Sequence, residues 1–70
     1  MQKYSFHVRK VISVLSSIST EEQLHSGKNM IDNFVRYWRF KGVGVRVIRN
    51  SLEMFNSIYN FKKKFFQNYD

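Results

Sequence analysis

The sequence predicts an all-α fold: a small three-helix domain in which a helical hairpin of residues 4–17 and 20–40 is closed by a long third helix from Val45 to about Gln67. Three observations carry that expectation. Apolar residues recur every three or four positions in three successive segments, the repeat of a helix with one buried face. No Pro interrupts those segments. Ser19-Thr20 and Gly42 stand where helix starts and stops are needed.

In the first segment Val8, Val11, Ile12, Leu15 and Ile18 form one stripe, with Arg9, Lys10, Ser13 and Ser16 turned to water. The second opens on Ser19-Thr20-Glu21-Glu22-Gln23, which offers two overlapping capping boxes, Ser19 with Glu22 or Thr20 with Gln23. Glu21 and Glu22 also suit the positive end of a helix dipole. Leu24, Ile31, Phe34, Val35 and Trp38 then share a face, flanked by Met30 and Tyr37. Gly27 lies on that face, where a missing side chain lets another helix approach. Asp32 and Arg36 make an i,i+4 pair on the far side.

The third segment places Val47, Ile48, Leu52, Met54, Phe55, Ile58, Tyr59, Phe61, Phe65 and Phe66 on about half of a helical wheel, opposite Arg46, Arg49, Glu53, Asn56, Asn60 and Lys64. That is wider than a hairpin partner needs, so the sequence predicts self-association as a homodimer. A second reading exists for residues 37–48. Val43, Val45 and Val47 alternate with Gly44 and Arg46, and Lys41-Gly42 suits a turn, which together describe a short β-hairpin. The helical spacing that reaches Trp38 without a break favours helix. The expected core is Leu15, Ile18, Leu24, Ile31, Phe34, Trp38, Ile48, Leu52, Phe55, Ile58 and Tyr59.

A domain of 70 residues buries only about 60% of its unfolded surface, so its core is marginal. It has no Cys and two isolated His, leaving no disulfide or structural zinc site to reinforce it. The cysteine-free composition fits a reducing cytoplasm, the expected location. Lys3, Arg9 and Lys10 precede the apolar run 11–19 as an n-region precedes an h-region, but four serines dilute the run and its removal would empty the core. The longest uncharged stretch, Val11 to Thr20, is far short of the roughly 20 apolar residues of a membrane span.

Twelve basic and five acidic residues give a net charge of +7. Residues 1–19 hold three positive charges and no negative one, residues 20–41 net +1, and residues 42–70 net +3. Such a balance suits polyanionic partners. Enzymatic readings fail on inventory: no Cys is present, no serine near His7 or His25 has a matching acid at helical spacing, and Gly42-x-Gly44 lacks the third glycine of a phosphate loop. No catalytic residue, metal or cofactor is expected, and each His reads as an ordinary surface residue.

The basic-aromatic run Arg36-Tyr37-Trp38-Arg39-Phe40-Lys41 interleaves rings that could stack on bases with cations that neutralise phosphates. On a helix Trp38 faces the core and Tyr37 borders it, so stacking falls to Phe40. Arg46, Arg49 and Asn50 open the third helix, and Lys63 and Lys64 extend the positive surface. Lys62 projects from the apolar side, where its stem can run over the rings. The expected function is therefore a nucleic-acid-binding accessory protein, its ligand DNA or RNA, acting through Arg36, Arg39, Phe40, Lys41, Arg46, Arg49, Asn50, Lys63 and Lys64. The alternative is a host-directed inhibitor or adaptor that docks on an acidic host protein; a basic amphipathic helix lying on anionic lipid ranks third.

Two resemblances follow. Gly42-Val43-Gly44-x-x-Val47-Ile48-Arg49-Asn50-x-Leu52 resembles the turn and recognition helix of helix-turn-helix DNA-binding domains, with Trp38 where that family wants a small residue. It implies Arg46, Arg49 and Asn50 as base readers in the major groove. The start Ser17, Ser19, Thr20, Glu22, Gln23 and Leu24, followed by Ile31 and Phe34, resembles short reading frames of small bacteriophages and mobile elements. That resemblance implies an accessory or host-directed protein and brings no active site.

Overall fold

A computed structural model describes residues 2–67. It contains three helices, α1 (Gln2–Ser16), α2 (Glu21–Phe40) and α3 (Val45–Gln67), joined by two four-residue turns. The molecule measures 43 × 18 × 15 Å. A helix of 20 residues is about 30 Å long and one of 23 about 34 Å, so α2 and α3 fit only lengthwise. The Tyr4 hydroxyl lies 2.7 Å from the Ser51 hydroxyl and donates to the Val47 carbonyl at 3.3 Å, while Trp38 Nε1–H donates to His7 Nδ1 at 3.0 Å. Residues 4–7, 38 and 47–51 therefore share one end. α1 and α3 begin there and α2 finishes there.

Each turn has a local cause. Ahead of α2, Thr20 is extended (φ −135°, ψ 161°) and its hydroxyl accepts the Gln23 N–H at 3.2 Å. The Gln23 side-chain oxygen accepts in return from the Ser19 N–H at 2.7 Å. Of the two possible boxes only Thr20 with Gln23 caps the helix, and Ser19 serves as its donor. At the other end, Gly42 adopts φ 87°, its N–H bonds the Arg39 carbonyl at 3.1 Å, and the Val43 N–H bonds the Trp38 carbonyl at 3.0 Å. This is a Schellman closure with Gly42 as its left-handed residue and Val43 packing back on the core.

That closure disposes of the β-hairpin considered for residues 37–48. Residues 37–40 complete α2, residues 45–48 begin α3, and no strand occurs among the described residues. The alternating valines are divided by the turn: Val43 is half-buried while Val45 and Val47 are exposed.

Val11, Leu15, Ile18, Leu24, Ile31, Phe34, Trp38, Ile48 and Phe55 form the core. Val11, on the predicted stripe but outside the expected core, is wholly buried. Leu52, Ile58 and Tyr59 are only partly buried, because they lie at the edges of the broad α3 face rather than at its centre. Gly27 does admit close packing: a Cβ there would stand 3.0 Å from both Leu15 Cδ2 and Ile18 Cδ1. Ser51 is the one buried polar side chain among the described residues, and Tyr4 satisfies it.

Candidate nucleic-acid interface

The topology concentrates charge at the end where α1 and α3 begin. That half of the bundle carries Lys3, Arg9, Lys10, Arg36, Arg39, Lys41, Arg46 and Arg49, eight of the twelve cations, against Asp32 and Glu53, a net of +6. The opposite half, among the described residues, sets Lys28, Lys62, Lys63 and Lys64 against Glu21 and Glu22, a net of +2.

Backbone dipoles deepen the asymmetry. Neither α1 nor α3 has an acid in its first turn, so two positive helix ends stand uncompensated beside these cations. Only α2, which starts at the far end, opens on acids, Glu21 and Glu22. Ile48 N–H, bonded to the Gly44 carbonyl at 3.2 Å, is the first paired amide of α3, and the N–H groups of Val45, Arg46 and Val47 precede it.

Seven of the nine residues expected to bind lie in this half of the bundle. Arg36 and Arg39 border a groove between α2 and α3 with Asp32, Val35 and Leu52. Arg46 and Arg49 flank a shallow depression at Val45, with Arg49 one turn before Leu52 on the same seam. Asn50 is exposed one turn after Arg46. Phe40 is 86% exposed. Lys41 Nζ stands 5.5 Å from the centre of the Tyr37 ring. Lys63 and Lys64 are apart from this group: Lys63 borders a groove at the far end with Glu21, His25 and Tyr59, and lies about 21 Å along the axis from Arg49.

The lengthwise packing of α2 and α3 also differs from a helix-turn-helix unit, whose helices cross at about 90–120°. That resemblance therefore carries no part of the functional reading.

Two residues gain roles the sequence reading did not give them. Phe6 is 70% exposed on the outer face of α1, in a shallow depression with Lys3, Ser5 and Arg9. Its cationic neighbours at i−3, i+3 and i+4 were visible in the sequence as a second basic-aromatic cluster. His7 is not an ordinary surface residue. It is half-buried, edge-on to Phe34 at 4.9 Å, and accepts the Trp38 indole N–H. Nothing in the spacing of α1 alone links positions 7 and 38.

Because Nδ1 must be unprotonated to accept that bond, the fold requires neutral His7. Burial, and secondarily the nearby Lys10 charge, lower its pKa below the ordinary 6.5. The unfolded chain therefore takes up its proton first. The contribution is fully present above about pH 6.5, is lost as pH falls through the interval below it, and is constant once folded His7 is also protonated. The melting temperature should fall as the pH drops below about 7. In His7→Asn, whose side-chain oxygen can accept from Trp38 but does not titrate, most of that fall should disappear; an unchanged pH profile would contradict the assignment.

Among the described residues no three His, Asp or Glu gather as metal ligands, and no helix is long and apolar enough to cross a membrane. Comparison with family models, curated proteins and solved structures found no match.

Proposed function

We propose that the chain is a nucleic-acid-binding accessory protein whose basic half grips the phosphate backbone while Phe6 and Phe40 stack on bases. The observation that carries this reading is the segregation of eight cations and two exposed rings into one half of a bundle whose other half holds the acidic helix start. Stacking on splayed bases favours single-stranded or looped segments over continuous duplex. The resemblance to phage and mobile-element reading frames supports an accessory role. A cytoplasmic setting, with nucleic acid at hand and no disulfide needed, belongs to the same proposal.

Anisotropy titration of a labelled mixed-sequence single strand tests it. At about 150 mM salt binding should be measurable and tighter than to the matching duplex, with log affinity falling by about 0.7 per phosphate contact for each decade of salt. Absence of binding to any DNA or RNA at that ionic strength would overturn the proposal in favour of the acidic host protein.

A further inference from the structure

Helix α1 is attached to the bundle in two different ways along its length. Its C-terminal half is locked by aliphatic burial: Val11 and Leu15 are wholly buried, and Leu15 and Ile18 fill the space that Gly27 leaves on α2. Its N-terminal half has no buried residue among positions 3–10, where only Tyr4, His7 and Val8 are half-buried. There the attachment is polar and aromatic. The Tyr4 hydroxyl meets Ser51 and the Val47 carbonyl, and the Trp38 indole N–H donates to His7 Nδ1 at 3.0 Å. We propose that the Trp38–His7 bond is an acid-sensitive latch: protonation of His7 releases the N-terminal half of α1, and Phe6 with it, while the rest of the bundle stays folded.

Protonation leaves the indole without a partner on this ring. An imidazolium donates from both nitrogens, so turning the ring over restores no acceptor. The new charge also finds no acid. The charged and titratable groups around His7 are Lys3, Tyr4 and Lys10 on α1 and, on α2, Tyr37, whose ring centre lies 6.2 Å away and carries Lys41 Nζ at 5.5 Å. Helix α3 meets this half of α1 at Val47 and Ser51, neither of them charged. The two acids in this half of the bundle are elsewhere: Asp32 lies in the α2–α3 groove and Glu53 is exposed on α3. Burial of the ring and the charge of Lys10 lower the His7 pKa, which is the sign a latch needs. The released segment takes up the proton more readily than the docked one, so full docking strength is present above about pH 6.5 and is lost as pH falls through the lowered value.

Magnitude decides that the release is local. One proton shifts an equilibrium by at most about tenfold per pH unit. That is small against the stability of a whole domain, but large for a terminal segment that buries no side chain fully, since such segments open at the lowest cost in a fold. Once released, residues 3–10 are too few to hold a helix by themselves and fray. Their departure divides the basic end, for Lys3, Phe6 and Arg9 part from Phe40 and from the arginines of α2 and α3. The latch stands on the contacts of His7; its consequence for binding rests on the proposed function. A single strand should be held less well in acid, although the chain has gained positive charge.

Nuclear magnetic resonance of the full chain, titrated downward from about pH 8, is the test. Trp38 is the only tryptophan, so its single indole N–H signal reports the bond while the His7 ring signals report the proton. The indole signal should move on the His7 titration curve. Amide exchange at residues 6–10, corrected for its own pH dependence, should quicken about tenfold per pH unit on the same curve, while Val11, Leu15 and the centres of α2 and α3 keep their protection. His7→Asn should show neither change. Titration of His7 that leaves the indole and these amides unmoved would overturn the proposal, as would loss of protection in all three helices together. Over the same range, affinity for the labelled single strand should fall about tenfold in wild type, the worth of one stacked base, but not in His7→Asn. Tighter binding in acid, which added charge alone predicts, would remove the latch from the site. Release of residues 6–10 in a chain that binds no strand at any pH would sustain the latch and overturn the proposed function instead.

Discussion

Phe34→Ala is expected to cost the domain about half of its stability and to lower its melting temperature steeply. Phe34 is wholly buried, with Phe55 edge-on at 4.9 Å, His7 at 4.9 Å, Tyr4 at 5.4 Å and Trp38 at 6.4 Å between ring centres. It is the residue through which all three helices meet. Truncation removes its transfer energy and opens a cavity that rings held by other contacts fill poorly, a loss of about 3–5 kcal/mol. At about 0.05–0.15 kcal/mol per residue, a chain of 70 residues has about 4–10 kcal/mol in total. Far-UV circular dichroism and the fluorescence of Trp38, the only tryptophan, will show the change. Phe40→Ala, at an exposed ring, should melt as the wild type does. A Phe34→Ala variant that kept a cooperative transition with less than about 1 kcal/mol lost would mean that the core is not organised around this ring.

The second large effect concerns binding. Arg39→Gln, Arg46→Gln and Arg49→Gln together remove three cations from the end of α2 and the start of α3, beside the unpaired amides of the α3 N-terminus. All three are exposed and should leave the fold intact. For a single strand each lost phosphate contact removes about 0.7 from the salt slope, so the triple variant should lower it by about 2 and weaken binding about fiftyfold at about 150 mM salt. Unaltered affinity would place the phosphates elsewhere.

Much of this arrangement was legible from local chemistry. The three helices follow from apolar periodicity, the α2 start from Thr20 and Gln23, and its stop from Gly42, because caps and closures are written in a few adjacent residues. The core centre was legible at Phe34, Trp38 and Phe55 for the same reason. Its margins were not: burial of Val11 and partial exposure of Leu52, Ile58 and Tyr59 depend on how far each helix overlaps its neighbours, and periodicity gives a face without a depth. The candidate interface shows the same division. Arg36, Arg39, Phe40, Arg46 and Arg49 are close in sequence, on either side of a single turn, so their shared end of the bundle can be read from local spacing. Phe6, with Lys3 and Arg9, joins them only because α1 runs parallel to α3, and Lys63 and Lys64 leave them because α3 is a straight rod. The His7–Trp38 bond spans 31 positions and needed the tertiary structure.

On the proposed function, position and not net charge alone makes the basic half a binding surface. The most direct measurement compares two variants that lose the same charge: the three-arginine variant and Lys62→Gln, Lys63→Gln, Lys64→Gln. At physiological salt the screening length is about 8 Å, well short of the roughly 21 Å that separates Arg49 from Lys63. Titrated against one single-stranded oligonucleotide, the lysine variant should stay within about threefold of wild type while the arginine variant loses about fiftyfold. Equal losses in both would contradict the account, reducing the interaction to the attraction of any strongly basic chain for a polyanion.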